Sequence, residues 1–170
     1  DVGNKIKINT DKGEVIVDVV VMSIGFRPNT SFIDINKAPN GAIIVNEMSE
    51  TSETDIYAIG DCALIYNYVK DTMDYIPLAT GANKQGRMIA DYLTGNNTFF
   101  KGMLGSSCLK VLDYELATTG INEKQAIKLG ISYKTKFVKD NNQTDYCGPQ
   151  YPIYSKITYD PDTLVILGCE

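Results

Sequence analysis

The sequence predicts an α/β unit passing into an α+β unit, on three observations. A nearly unbroken apolar run, Val15 to Ile24, stops at Gly25-Phe26-Arg27-Pro28-Asn29. A second apolar stretch, Ile56 to Ile59, runs into Gly60-Asp61 and is followed by a helix with clear start and stop signals. Beyond Gly102, short strand-like segments and one helical segment alternate in a different rhythm.

The elements follow in order. Lys5 to Asn9 alternates charged and β-branched residues, Asp11-Lys12-Gly13 supplies a turn, and Glu14 to Ser23 reads as a returning strand covered on both faces. After the turn-rich Ala38-Pro39-Asn40-Gly41, Ala42 to Val45 and Ile56 to Ile59 are short strands. Leu78 to Leu93 is a helix, with Pro77 at its start, Gly95 just beyond it and apolar Leu78, Ala82, Ile89, Ala90 and Leu93 at helical spacing. Strands are expected over Cys108 to Leu112 and Tyr114 to Thr119. A helix capped by Asn122 runs to Leu129 before Gly130, and Lys134 to Val138, Tyr154 to Tyr159 and Thr163 to Leu167 are further strands. The last sheet is expected to be unfinished, because the sequence stops at Gly168-Cys169-Glu170 with no helix to cover it.

Composition narrows the function. Hydrophobic residues make up 44 % and charged residues 22 % of 170, an ordinary globular mixture with length enough for a core. The net charge of -5 with dispersed Lys and Arg leaves no basic stripe for a phosphate backbone, so nucleic acid is not an expected partner. No apolar run approaches the roughly 20 residues of a membrane span, and Asp1-Val2-Gly3-Asn4-Lys5 does not look like a signal peptide, so no membrane association and a cytoplasmic location are expected. Cys62, Cys108, Cys147 and Cys169 show no Cys-x-x-Cys spacing. With no histidine, the usual zinc sets and the usual triad base are absent. Chemistry must come from a cofactor or from residues outside this chain.

Three segments carry a specific resemblance. The first, Val19 to Asn29, ends Ser-Ile-Gly-Phe-Arg-Pro-Asn. The second is Thr51-Ser52-Glu53-Thr54-Asp55-Ile56-Tyr57-Ala58-Ile59-Gly60-Asp61, a strand ending in Gly-Asp. Glycine there lets backbone approach a ligand, and an aspartate at a strand end accepts hydrogen bonds from sugar-like hydroxyls; alone, the pair also describes an ordinary turn. The third, Ile76-Pro77-Leu78-Ala79-Thr80-Gly81-Ala82-Asn83-Lys84-Gln85-Gly86-Arg87, opens the helix, where unpaired N–H groups and about half a unit of positive charge gather.

In this order the segments resemble the flavoprotein pyridine nucleotide-disulfide oxidoreductases. Gly102 to Asp113 and Ala117 to Ile121 resemble the start of that family's interface domain, closest to the branch of NADH oxidases and coenzyme A disulfide reductases. The resemblance implies the end of an NAD(P)H-binding domain over 1–28, the carboxy-terminal segment of an FAD-binding domain over 29–101 and an incomplete dimerisation domain over 102–170. It implies FAD and NAD(P)H as cofactors of a longer homodimeric enzyme that reduces a disulfide, a persulfide or dioxygen. Asp61 then holds the ribityl chain, with Gly60 allowing close approach, and Leu78 to Thr80 meet one side of the flavin, Ala79 and Thr80 being the candidates for its electron-rich O2 and N1 edge. A helix start of this kind stabilises negative charge by about 1 kcal/mol, at most about 2.

The sequence has no Gly-x-Gly-x-x-Gly turn for the FAD pyrophosphate, and none of the four cysteines matches the family's amino-terminal redox position. No catalytic residue is therefore assigned. The chain by itself is expected to bind no cofactor and to be inactive. Cys62 reads as a core residue, Tyr146-Cys147-Gly148-Pro149 as an exposed turn, and Lys84 and Arg87 as surface cations. A self-sufficient α/β interaction module without cofactor explains the same packing, but not three ordered motifs.

Overall fold

In the computed structural model, which describes residues 3–96, 98 and 100–170, the chain opens on the expected hairpin. Strands β1 (Ile6–Thr10) and β2 (Gly13–Val17) pair antiparallel, from Ile6 opposite Val17 to Thr10 opposite Gly13. The Thr10 hydroxyl donates to the Gly13 carbonyl at 2.8 Å, closing the turn. Asp1 and Val2 of the domain expected over 1–28, and Asn97 and Phe99 of that expected over 29–101, lie outside the described residues.

The long covered strand expected over Glu14 to Ser23 is not formed. β2 ends at Val17, and Val19, Val21 and Ile24 are 73 %, 85 % and 84 % exposed. An apolar run becomes a two-sided interior strand only where layers exist to cover it, and among the described residues none packs on this segment.

Residues 30–78 make a small core of Ile35, Ile43, Val45, Ala58 and Ala63, with Ile33, Cys62 and Met73 packed against it. The strands expected over Ala42 to Val45 and Ile56 to Ile59 supply buried side chains to this core but shrink to isolated bridges. Ile43 bridges Lys37 and Ala63, and Tyr57 bridges Glu50. A hairpin that the sequence did not signal, β3 (Ile65–Asn67) with β4 (Thr72–Asp74), follows. Asn67 organises its turn by accepting from Val69 and Lys70 N–H, and Lys70 pairs with Asp74 at 2.6 Å.

Helix α1 (Ala79–Leu93) stops one residue before Thr94, with Gly95 at φ +91°. Its buried positions are Gly81, Gln85 and Met88, while Ala90 and Leu93 are exposed. The helical period was legible, but the inward stripe is offset from the apolar one.

The remaining strands form one antiparallel sheet in the order β5-β6-β9-β8-β7. They are β5 (Ser107–Val111), β6 (Tyr114–Gly120), β7 (Lys134–Asn141), β8 (Pro152–Tyr159) and β9 (Ile166–Cys169). Helix α2 (Glu123–Leu129) carries the expected cap as a full box. Asn122 Oδ1 accepts from Gln125 N–H at 3.0 Å, Gln125 Oε1 accepts from Asn122 N–H at 2.9 Å, and Gly130 ends the helix in the left-handed region. β9 starts three residues later than expected because Asp160 holds the turn. Its carboxylate accepts from Thr163 and Asp162 N–H, bonds that keep it below the ordinary carboxylate range.

Candidate functional site

Gly60 opens a short 3-10 turn, Gly60 to Cys62, at the end of the buried Ala58 segment. Its φ of +73° is open to glycine and strained for other residues, and a Cβ there would stand 3.3 Å from the Ala82 Cβ on α1. Glycine is thus demanded twice, by backbone conformation and by close approach to the helix. The Gly60 N–H donates to Gln85 Oε1 at 2.9 Å, and Ala63 N–H returns to the Gly60 carbonyl at 3.2 Å. The next carbonyl, that of Asp61, accepts from the Tyr75 hydroxyl at 3.1 Å. Ile43 N–H donates to the Cys62 carbonyl at 2.8 Å and ties the turn to the core.

The Asp61 carboxylate is exposed and engages no hydrogen bond or ion pair among the described residues. Tyr75, partly buried, has its hydroxyl pKa raised, first by burial and then by the negative charge of Asp61. It therefore remains a protonated donor across the neutral range.

At the start of α1, Leu78 is extended and no side chain caps the helix. Gly81 and Ala82 N–H both return to the Leu78 carbonyl, at 3.0 and 3.1 Å. The Ala79 and Thr80 N–H groups find no acceptor among the described residues, and both residues are exposed. Gly81 allows this close seating, since a Cβ there would fall 2.2 Å from the Met103 sulfur.

All five residues picked from the sequence, Gly60, Asp61, Leu78, Ala79 and Thr80, therefore sit on one small platform joining the 3-10 turn to the helix start. Its polar groups are of the kinds a flavin needs: a free carboxylate to accept from polyol hydroxyls beside free N–H groups and a helix dipole for an electron-rich ring edge. Sequence reasoning missed Tyr75 and Gln85. A signal existed for Gln85, a polar residue four positions after Gly81 and three before Met88, on the buried stripe of α1.

The other residues weighed in the sequence fall outside the platform. Lys84 and Arg87 are exposed. Cys62 packs on the core and donates to the Ile59 carbonyl at 3.3 Å. Cys147 lies in an exposed loop, where the Thr144 hydroxyl donates to its sulfur at 3.2 Å. Among the described residues no group of His, Cys, Asp and Glu could hold a metal, and no helix is long and apolar enough to cross a membrane.

An α/β piece ending in a Gly-Asp turn under a helix is followed by an antiparallel sheet with one helix. Residues 1–86 match the pyridine nucleotide-disulphide oxidoreductase family, and 106–170 match that family's dimerisation domain. The chain belongs to this family. It is 37 % identical over 169 residues to an NADH oxidase of Mycoplasma genitalium, covering 96 % of this chain and 35 % of that protein. It is 33 % identical over 167 residues to the NAD(P)H sulfur oxidoreductase (CoA-dependent) of Pyrococcus furiosus, covering 96 % and 38 %. Among solved structures, the water-forming NADH oxidase from Lactobacillus brevis bound to NADH superposes with a TM-score of 0.87 at 34 % identity, covering 96 % of this chain and 37 % of that one. The chain thus spans little more than a third of the length of these proteins.

Proposed function

We propose that this chain is the carboxy-terminal part of an FAD-dependent NAD(P)H oxidoreductase. In this reading 1–28 ends the NAD(P)H-binding domain, 29–101 is the second segment of the FAD-binding domain and 102–170 opens the dimerisation domain. The observation that carries the proposal is the single platform formed by Asp61 and the uncapped start of α1, with its unclaimed carboxylate and two unclaimed N–H groups.

Bound FAD would supply the hydride and electron chemistry that links NAD(P)H to a disulfide, a persulfide or dioxygen. This chain's part is binding and tuning. Asp61 would accept hydrogen bonds from ribityl hydroxyls beside the Gly60 backbone, and the Ala79 and Thr80 N–H groups with the dipole of α1 would stabilise negative charge on the N1 and O2 edge. The pyrophosphate loop and the redox cysteine are supplied by sequence outside this chain, so the chain alone is inactive. The enzyme works as a homodimer in the cytoplasm, with residues 102–170 contributing to the interface.

Acid release of flavin from the complete purified protein tests this reading. One FAD per subunit, with oxidation of NADH or NADPH in the presence of oxygen or a disulfide, is expected. A colourless complete protein that never takes up FAD refutes it.

A further inference from the structure

The Gly60-Asp61 dipeptide is gripped from two directions by groups that face no ligand themselves. Gln85, only 4 % exposed in the second turn of α1, accepts the Gly60 N–H at 2.9 Å across 25 residues of sequence. Tyr75, three residues before Leu78, donates to the Asp61 carbonyl at 3.1 Å. Ala82 stands so close to Gly60 that a Cβ there would lie 3.3 Å from its own. Both bonds join the turn that carries Asp61 to the segment that carries Leu78, Ala79 and Thr80, and both engage backbone atoms, so the Asp61 carboxylate stays free.

We infer that Gln85 and Tyr75 are positioning residues: they lock the carboxylate of Asp61 at a fixed distance from the open N–H groups of α1, so that the ribityl chain and the N1 and O2 edge of one flavin are met at once. The inference rests on the flavin reading above and adds the residues that set its geometry. A buried glutamine on a helix face is otherwise unfavourable, and its satisfied bond to the Gly60 turn gives it a purpose packing alone does not. Holding contacts in place before binding is where affinity is gained, because ordering costs are met during folding.

The test is a double-mutant cycle in the complete protein, read by the FAD dissociation constant, the visible absorption of bound flavin and hydrogen exchange at the Gly60 amide. Gln85→Met keeps volume and removes the acceptor, whereas Gln85→Glu keeps an acceptor oxygen at the same reach. Gln85→Met is expected to speed Gly60 exchange, shift the flavin band and weaken FAD by roughly three- to tenfold. Gln85→Glu retains Gly60 protection. In an Asp61→Ala background, Gln85→Met costs less than about twofold more, because what it positions is gone. If Gln85→Met does not fold, Tyr75→Phe, which removes one oxygen, carries the same cycle. Unchanged Gly60 exchange, or an FAD loss of the same size with and without Asp61, overturns the clamp and leaves the flavin site standing. A complete protein that binds no FAD overturns both.

Discussion

Replacing Asp61 with alanine separates ligand binding from folding, because the structure gives that carboxylate no internal partner. It is exposed, and the bond from Tyr75 goes to the Asp61 backbone carbonyl, which alanine retains. The 3-10 turn keeps its Ala63 to Gly60 bond, and Gly60 keeps Gln85. Asp61→Ala should therefore shift stability by no more than about 0.5 kcal/mol, the range of an ordinary surface change. Its effect falls on the cofactor. Losing a hydrogen bond to a charged group costs about 1.5–3 kcal/mol, or roughly tenfold to a hundredfold in FAD affinity. Asp61→Asn, which keeps an acceptor without the charge, should fall between. Titration of the flavin-free complete protein with FAD, followed by fluorescence, measures all three. An Asp61→Ala protein that folds normally and binds FAD with unchanged affinity would refute the assignment.

Further outcomes follow from the second half of the chain. A Cβ on Gly168 would lie 2.2 Å from the Ile121 carbonyl oxygen and 2.7 Å from both Ile121 N and the Thr119 carbonyl. These backbone atoms have nowhere to move, so Gly168→Ala should cost about 3 kcal/mol, the upper end for overpacking, read as a lower urea midpoint. An unchanged midpoint means that β6 and β9 do not pair as described. Lys156 on β8 bonds Glu123 at the start of α2, approaches Glu170 at 3.7 Å, and Tyr133 adds a donor to Glu123 at 3.3 Å. The bond and charge of Lys156 lower the Glu123 pKa, and Glu123 in turn raises that of Lys156. The Glu123 contribution is thus full above its ordinary 4.5 and lost as pH falls through the lowered value. The Lys156 contribution is full below 10.5 and lost as pH rises through the raised value. Lys156→Met should flatten both limbs of a stability profile, and a profile identical to the parent's excludes the pair as their source. Leu109, Leu116, Phe137 and Tyr154 are each more than half exposed, so the 170-residue chain should self-associate in sedimentation at micromolar concentration. A strictly monomeric boundary counts against an interface role for this sheet.

What could be read from the sequence divides by the range of the interactions involved. Gly60 and the boundaries of α1 and α2 were legible because their causes are local: a left-handed glycine, an Asn122 cap answered by Gln125 three residues on, and a stop at Gly130. Asp61 was legible through its place behind an apolar strand-like run, although that run became a bridge rather than a ladder. For Gln85 the helical spacing signals burial but not its partner, which lies 25 residues away, and Tyr75 reaches Asp61 only after the β3–β4 hairpin turns the chain back. Val19 to Ile24 shows the opposite failure. Its apolar pattern specifies a strand that wants cover on two faces, but pattern alone does not supply the cover.

The most direct test of the account compares the 170-residue chain with the complete protein in one FAD titration, followed by assays of NADH consumption with oxygen or a disulfide. In the proposed reading the platform meets only one side of a large cofactor, and contacts on one side do not offset the ordering and desolvation costs of holding it. The chain is expected to stay colourless and inactive, while the complete protein binds FAD stoichiometrically and turns over. Tight stoichiometric FAD binding by the chain alone, or turnover surviving removal of contaminating flavoenzymes, would contradict the division of labour proposed here.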